Sequence, residues 1–170
     1  GADLVVQSWH KTLPAITGTS ALLVGESYRG PDVSFALDVL QSTSPSYLML
    51  CSLEAASIYM AEHGQEDIER SLAEINAICQ EIAALKTLTV LHNPTWRQDP
   101  FKLNLASKAL SGQELAHKLS SRHIYVEMSE ANSALLMLPL KITADYRQRL
   151  LTSLKQIDRE CQNLAPKERT

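Results

Sequence analysis

The chain has 170 residues, 45% of them apolar and 21% charged, with a formal net charge of −3. That length fits one ordinary domain or two small lobes sharing a core, and the balance excludes a disordered tail. Both charge signs are spread along the chain, so there is no clustered basic footprint for nucleic acid, and no apolar run is long enough to span a bilayer. Cys51, Cys79 and Cys161 share no zinc-ligand or redox spacing. They read as reduced core thiols of a cytoplasmic protein.

Leu4 to Gln7 and Ala21 to Val24 are short apolar runs fit for buried strands. Opening on the approach to a buried strand, Gly1 to Val6, leads to the expectation that this is a piece of a longer polypeptide. Between the runs lie Ser8-Trp9-His10-Lys11-Thr12-Leu13-Pro14 and Thr17-Gly18-Thr19-Ser20, rich in hydroxyls around one cation. Gly30-Pro31-Asp32 opens a helix through Val39 and Leu40, with Pro31 near its first turn. Ser42-Thr43-Ser44-Pro45-Ser46 is a turn and helix start. The helix after it, Tyr47 to about Glu62, is apolar nearly all round and is predicted to be buried. A second helix runs from about Gln65 to Leu85, with Ile68, Leu72, Ile75, Cys79 and Ile82 as its inner stripe and Glu66, Glu69, Arg70 and Glu74 opposite.

From Leu88 the texture changes. Leu88 to Leu91 and Phe101 to Leu105 read as strands around a polar loop holding Pro94, Trp96 and Pro100, with Trp96 as a loop anchor. Ser111 and Glu114 form a capping box that starts a helix to about Ser120. His123 to Glu127 and Ala134 to Leu138 are two more strands. Thr143 caps a last helix whose inner stripe is Leu150, Leu154, Ile157 and Cys161. The second half is therefore an α+β lobe, β-β-α-β-β-α, ending in a frayed tail at 166–170. His63, His92, His117 and His123 have no ligand spacing and read as surface or satisfied core residues.

The chemistry points to the first loop. A lysine just after a buried strand is partly desolvated, which frees its amine as a nucleophile toward an aldehyde. Ser8 and His10 beside it can donate to a phosphate dianion, and Thr17 and Thr19 add donors. Taken alone, a lysine at a strand end is more often a solvated charge, and Ser-x-His-Lys is a four-residue signal of low specificity.

The stretch from Ala2 to Ala15, with Ser8-Trp9-His10-Lys11 at its centre, resembles the cofactor-lysine segment of the ornithine/lysine/arginine decarboxylase family. Three further segments are similar to that family in the same order: Leu40 to Tyr47, Asp99 to Leu103, and Ile124 to Met128 followed by Asn132 and Ala134 to Leu138. The resemblance implies fold type I of the pyridoxal-phosphate enzymes. Residues 1–86 would be the tail of the α/β large domain with long connecting helices, and 87–165 an α+β C-terminal domain. It implies pyridoxal phosphate on Lys11 as a Schiff base, with Lys11 and His10 catalytic and Ser8 and His10 near the phosphate. Thr43 and Ser44 would be delivered across a homodimer or larger assembly, and Glu127 would hold the distal cation of ornithine, lysine or arginine. No metal, nucleic acid or membrane is implied.

In this family the Asp for the pyridine nitrogen, the ring-covering side chain and the phosphate loop all precede the lysine, where this chain has ten residues. A decarboxylase whose remaining N-terminal portion lies elsewhere is thus the expectation. Its rivals are a non-catalytic fragment or paralogue serving dimerisation, and another fold type I enzyme such as an aminotransferase.

Overall fold

Strands β1 (Leu4–Gln7) and β2 (Ala21–Val24) pair antiparallel, with Val5 opposite Leu23 and Gln7 opposite Ala21. The computed structural model describes residues 2–93, 95 and 97–165. The expectations for Pro94, Trp96 and the tail 166–170 fall outside the described residues. Contrary to the prediction of buried strands, β1 is exposed throughout and β2 at Leu23 and Val24. An apolar run records an affinity for burial, whereas a two-stranded ribbon leaves both faces open unless another layer covers it.

One helical turn, α1 (Trp9–Thr12), follows β1, and α2 (Val33–Leu40) follows β2. Asp32 is the N-cap of α2, its carboxylate accepting from the N–H groups of Ser34 and Phe35. Pro31 therefore stands just before the helix and leaves its orphan donors to Asp32.

The two helices predicted between Tyr47 and Leu85 are one, α3 (Tyr47–Ala83). Gly64 interrupts the pattern but costs a helix only about 1 kcal/mol relative to alanine, too little to end it without a proline. The chain divides along this helix into two compact units, Gly1–Gln65 and Glu66–Thr170. In the first unit the helix is not buried as predicted: Tyr47, Leu48, Leu50 and Ile58 are exposed, and Ala56 and Gly64 are its buried positions. Cys51 is exposed too, so it is not a core thiol. In the second unit the buried line runs Asp67, Ser71, Ile75, Ile78 and Ile82. Two of these are polar, and the Ser71 hydroxyl donates to the Leu140 carbonyl at 2.7 Å.

The second unit follows the predicted order. Strands β3 (Leu88–Val90), β4 (Lys102–Ser107), β5 (Met128–Ser129) and β6 (Ala134–Met137) form an antiparallel sheet ordered β3-β4-β6-β5. Helix α4 (Gly112–Ser120) lies against β4 and β6, and α5 (Ala144–Cys161) packs on α4. Leu103 and Leu105 alternate with Lys102 and Asn104, so one face of β4 enters the core. There they join Leu115, Leu119, Leu136, Leu150, Leu154 and Ile157. The capping box of α4 is present: Ser111 Oγ accepts from Glu114 N–H, and the Glu114 carboxylate accepts from Ser111 N–H at 2.7 Å. A Cβ on Gly112 would lie 2.0 Å from the Ser133 carbonyl and 2.1 Å from that of Glu130, so no side chain fits where α4 meets the β5–β6 turn.

The strand predicted at His123 to Glu127 does not form. Instead α4 ends in a Schellman motif: His123 is left-handed at φ 59°, its N–H reaches the Ser120 carbonyl, and Ile124 N–H reaches that of Leu119. Winding the chain out of the helix uses up residues that strand propensity alone assigns to a sheet. Pairing resumes where Glu127 N–H meets the Leu135 carbonyl at 2.8 Å.

Candidate active site

Strand β1, helix α1, a turn at Ile16 to Thr19 and helix α3 of the first unit are joined in one small structure at His10. The chain leaves β1 at Gln7, and Ser8 takes the N-cap position of α1 at φ −85° and ψ 92°. Its hydroxyl makes no capping bond, and the residue is exposed. The single turn is held by Lys11 N–H to the Ser8 carbonyl at 3.2 Å and Leu13 N–H to that of Trp9 at 2.8 Å. Ser8, His10 and Lys11 thereby sit within one turn, His10 half-buried and Lys11 exposed. The predicted desolvation of Lys11 is not supplied, because β1 itself is uncovered and the short turn carries the lysine outward.

A second turn, Ile16 to Thr19, closes over His10. Thr19 N–H donates to the Ile16 carbonyl at 3.1 Å, and Gly18 has φ 97°, the sign that the third residue of a type II turn requires. Ile16 N–H in turn donates to Ser52 Oγ on α3 at 2.8 Å. Thr19 is 2% exposed, and its hydroxyl donates to the Ile16 carbonyl at 2.7 Å. Thr19 is therefore not one of the ligand donors that hydroxyl content suggested. Its role is inward: its carbonyl faces His10 Nδ1 at 2.8 Å. Thr17 stays exposed.

Thr43 and Ser44 lie on the exposed connection between α2 and α3, where Ser44 N–H donates to Ser42 Oγ at 3.1 Å. Glu127 belongs to the second unit, exposed just before β5. Ser52 and the Thr19 carbonyl were invisible to motif reasoning. Composition reveals a hydroxyl but not which way it points. No group of three His, Cys, Asp or Glu side chains gathers for a metal among the described residues, and no described helix is long and apolar enough to cross a membrane.

A family model described as Orn/Lys/Arg decarboxylase, major domain, matches residues 2–104, more than half of the chain. The chain belongs to this family. Its Ser-x-His-Lys turn and both flanking strands lie inside the matched region. A Bacillus subtilis relative described only as uncharacterized protein YaaO is 36% identical over 98% of this chain and 35% of its own length. An arginine decarboxylase of the same organism is 28% identical over 92% of this chain and 34% of its own. The chain thus spans about a third of the length of these curated relatives.

Solved structures agree on the fold. The Francisella novicida lysine decarboxylase LdcF superposes with a TM-score of 0.76 at 21% identity, covering 91% of this chain and 27% of that one. Plasmodium falciparum ornithine delta-aminotransferase gives 0.62 at 14% identity, over 96% of this chain and 41% of that one. The decarboxylase family member described here therefore has the mixed α/β architecture of fold type I and represents part of it.

Proposed function

We propose that this chain is the lysine-bearing part of a pyridoxal-phosphate-dependent decarboxylase acting on ornithine, lysine or arginine. The observation that carries the reading is local. Within the family-matched region, an amine, a hydroxyl outside the capping network and an imidazole share one turn between two strands. That donor set fits a phosphorylated aldehyde, which needs one amine for its carbonyl carbon and several donors for its phosphate. When bound, the cofactor supplies the electron sink for loss of CO₂ from the substrate's Cα.

The residues divide the remaining work. Lys11 would hold the cofactor covalently, its amine joining the aldehyde carbon with loss of water. Ser8 and His10 would hold the phosphate, with Thr17 as a further exposed hydroxyl of the same loop. Thr43 and Ser44 reach the site of a second copy in a homodimer or larger assembly. Glu127 pairs with the ammonium or guanidinium at the far end of the substrate, a match of opposite charges that a neutral side chain would not give. Turnover belongs to the full-length protein, a cytoplasmic lyase in this reading, because the chain is about a third of its relatives.

The test uses the chain as it stands and again with its upstream portion restored. Borohydride reduction in the presence of pyridoxal phosphate is expected to leave a pyridoxyl group on the peptide containing Lys11, and none in Lys11→Ala. Release of CO₂ from each of the three amino acids then identifies the substrate. If neither form retains the cofactor on Lys11, the reading is wrong.

A further inference from the structure

His10 Nδ1 lies 2.8 Å from the main-chain carbonyl of Thr19. A carbonyl oxygen only accepts, so the hydrogen in this bond belongs to Nδ1. A neutral imidazole carries one ring hydrogen. The second nitrogen, Nε2, is then bare.

The acceptor is not an incidental loop carbonyl. Thr19 is 2% exposed, and its N–H and hydroxyl both donate to the Ile16 carbonyl, at 3.1 and 2.7 Å. With two of its polar groups tied to one oxygen, the third, its own carbonyl, has little freedom to turn. Gly18 supplies the positive φ that the turn needs, and Ile16 N–H fastens it to Ser52 of the long helix at 2.8 Å. The hydroxyls of Thr19 and Ser52, with the backbone freedom of Gly18, thus brace the carbonyl that meets the ring.

We propose that Thr19 is a positioning residue that holds neutral His10 as its Nδ1–H tautomer, leaving a bare Nε2 on the residue next to Lys11. What Nε2 meets there rests on the cofactor reading above; the tautomer does not. The bare nitrogen is a hydrogen-bond acceptor in the neutral ring and a second donor only when the ring takes up a proton. Holding a phosphate through Nε2 therefore calls for the imidazolium, whose Nδ1–H keeps the bond to Thr19 while Nε2–H serves the ligand.

Two measurements on the 170-residue chain decide this. In long-range ¹H–¹⁵N spectra taken with the ring neutral, His10 Nδ1 is expected to be the protonated nitrogen. Thr19→Ser keeps the hydroxyl and should keep that tautomer, whereas Thr19→Val keeps the carbonyl but loses the hydroxyl's bond to Ile16 that steadies it, and should shift the population toward Nε2–H by about threefold, the worth of that one modest hydrogen bond. A wild-type ring that is mainly Nε2–H, or one indifferent to Thr19→Val, overturns the proposal.

Should Thr19→Val fail to fold, two His10 variants separate the nitrogens instead. An asparagine amide occupies the place of Nδ1 and a glutamine amide that of Nε2. His10→Asn should preserve slow hydrogen exchange in the 16–19 turn and His10→Gln should lose it. The opposite order overturns the proposal. Pyridoxal phosphate labelling of Lys11 is read separately. Its absence removes the cofactor reading while the tautomer result stands, and its presence beside an Nε2–H ring removes the proposal alone.

Discussion

Replacing Asp158 by alanine has a cost that follows from what its carboxylate holds. Asp158 lies on α5 and is 4% exposed. Its Oδ1 accepts from Thr87 N–H and the Thr87 hydroxyl, both at 2.7 Å, and from Lys86 N–H at 3.1 Å. Oδ2 accepts from the Gln162 amide at 2.9 Å. This one side chain joins the last helix to the entry of β3. Thr87 is itself 8% exposed, so alanine strands its N–H and leaves its hydroxyl only the long bond to the residue 158 carbonyl at 3.5 Å, at roughly 1–3 kcal/mol for each donor. Alanine also removes the cost of keeping a carboxylate out of water, which trims the net loss to about 3 kcal/mol.

Urea unfolding followed by far-UV circular dichroism should show this as a lower midpoint at unchanged slope. The pH dependence gives a second check. Burial pushes the Asp158 carboxyl up, but the main-chain and side-chain bonds from Thr87, with Gln162 and Lys86 behind them, outweigh it and leave it below its ordinary value. A carboxyl lowered in the native state stabilises fully above the unfolded value of about 3.9, and that contribution fades as pH falls through the native one. The gap between wild type and Asp158→Ala should therefore narrow below about pH 4. A gap under about 0.5 kcal/mol at neutral pH refutes the reasoning, as does one that acid leaves unchanged.

Gly18→Ala would force a side chain into φ 97°, with its Cβ 3.2 Å from Met49 Cε, and should cost the Ile16–Thr19 turn about 1–2 kcal/mol, read as faster exchange of the Thr19 amide. Gly112→Ala meets main-chain oxygens that cannot step aside, so thermal melting should show a loss of about 3 kcal/mol from the second unit. The Glu81 carboxyl is held below its ordinary range by Lys155 first and Arg147 second. Its NMR titration midpoint should therefore rise more in Lys155→Met than in Arg147→Met, and added salt should shrink both effects.

Much of the second unit was legible in the sequence because its signals are local. Ser111 with Glu114 marks a helix start three residues wide, Thr143 marks another, and the buried Leu150, Leu154, Ile157 and Cys161 recur at helical spacing. Elsewhere the same kinds of signal misled. The apolar runs at Leu4 to Gln7 and Tyr47 to about Glu62 predict burial, and much of that apolar surface is exposed. Hydrophobicity reports what a residue would gain from a partner and is silent on whether one is present. The strand expected at 123–127 lost to a helix-capping motif that hinges on one left-handed histidine.

The candidate site divides the same way. Residue order alone placed Ser8, His10 and Lys11 within one turn of each other, because neighbours in sequence cannot be far apart in space, and resemblance to a family gave that turn its meaning. Which hydroxyl faces inward was decided only by folding. Thr17 and Thr19 are two residues apart and chemically alike, yet one lies open and the other is sealed against Ile16 with its carbonyl on His10. A sequence specifies which groups exist and how they are spaced, whereas the direction of a buried carbonyl depends on the competing bonds around it. Those bonds come from Ile16 and Ser52, across a turn that Gly18 permits, and they meet only once the chain has turned back on its long helix.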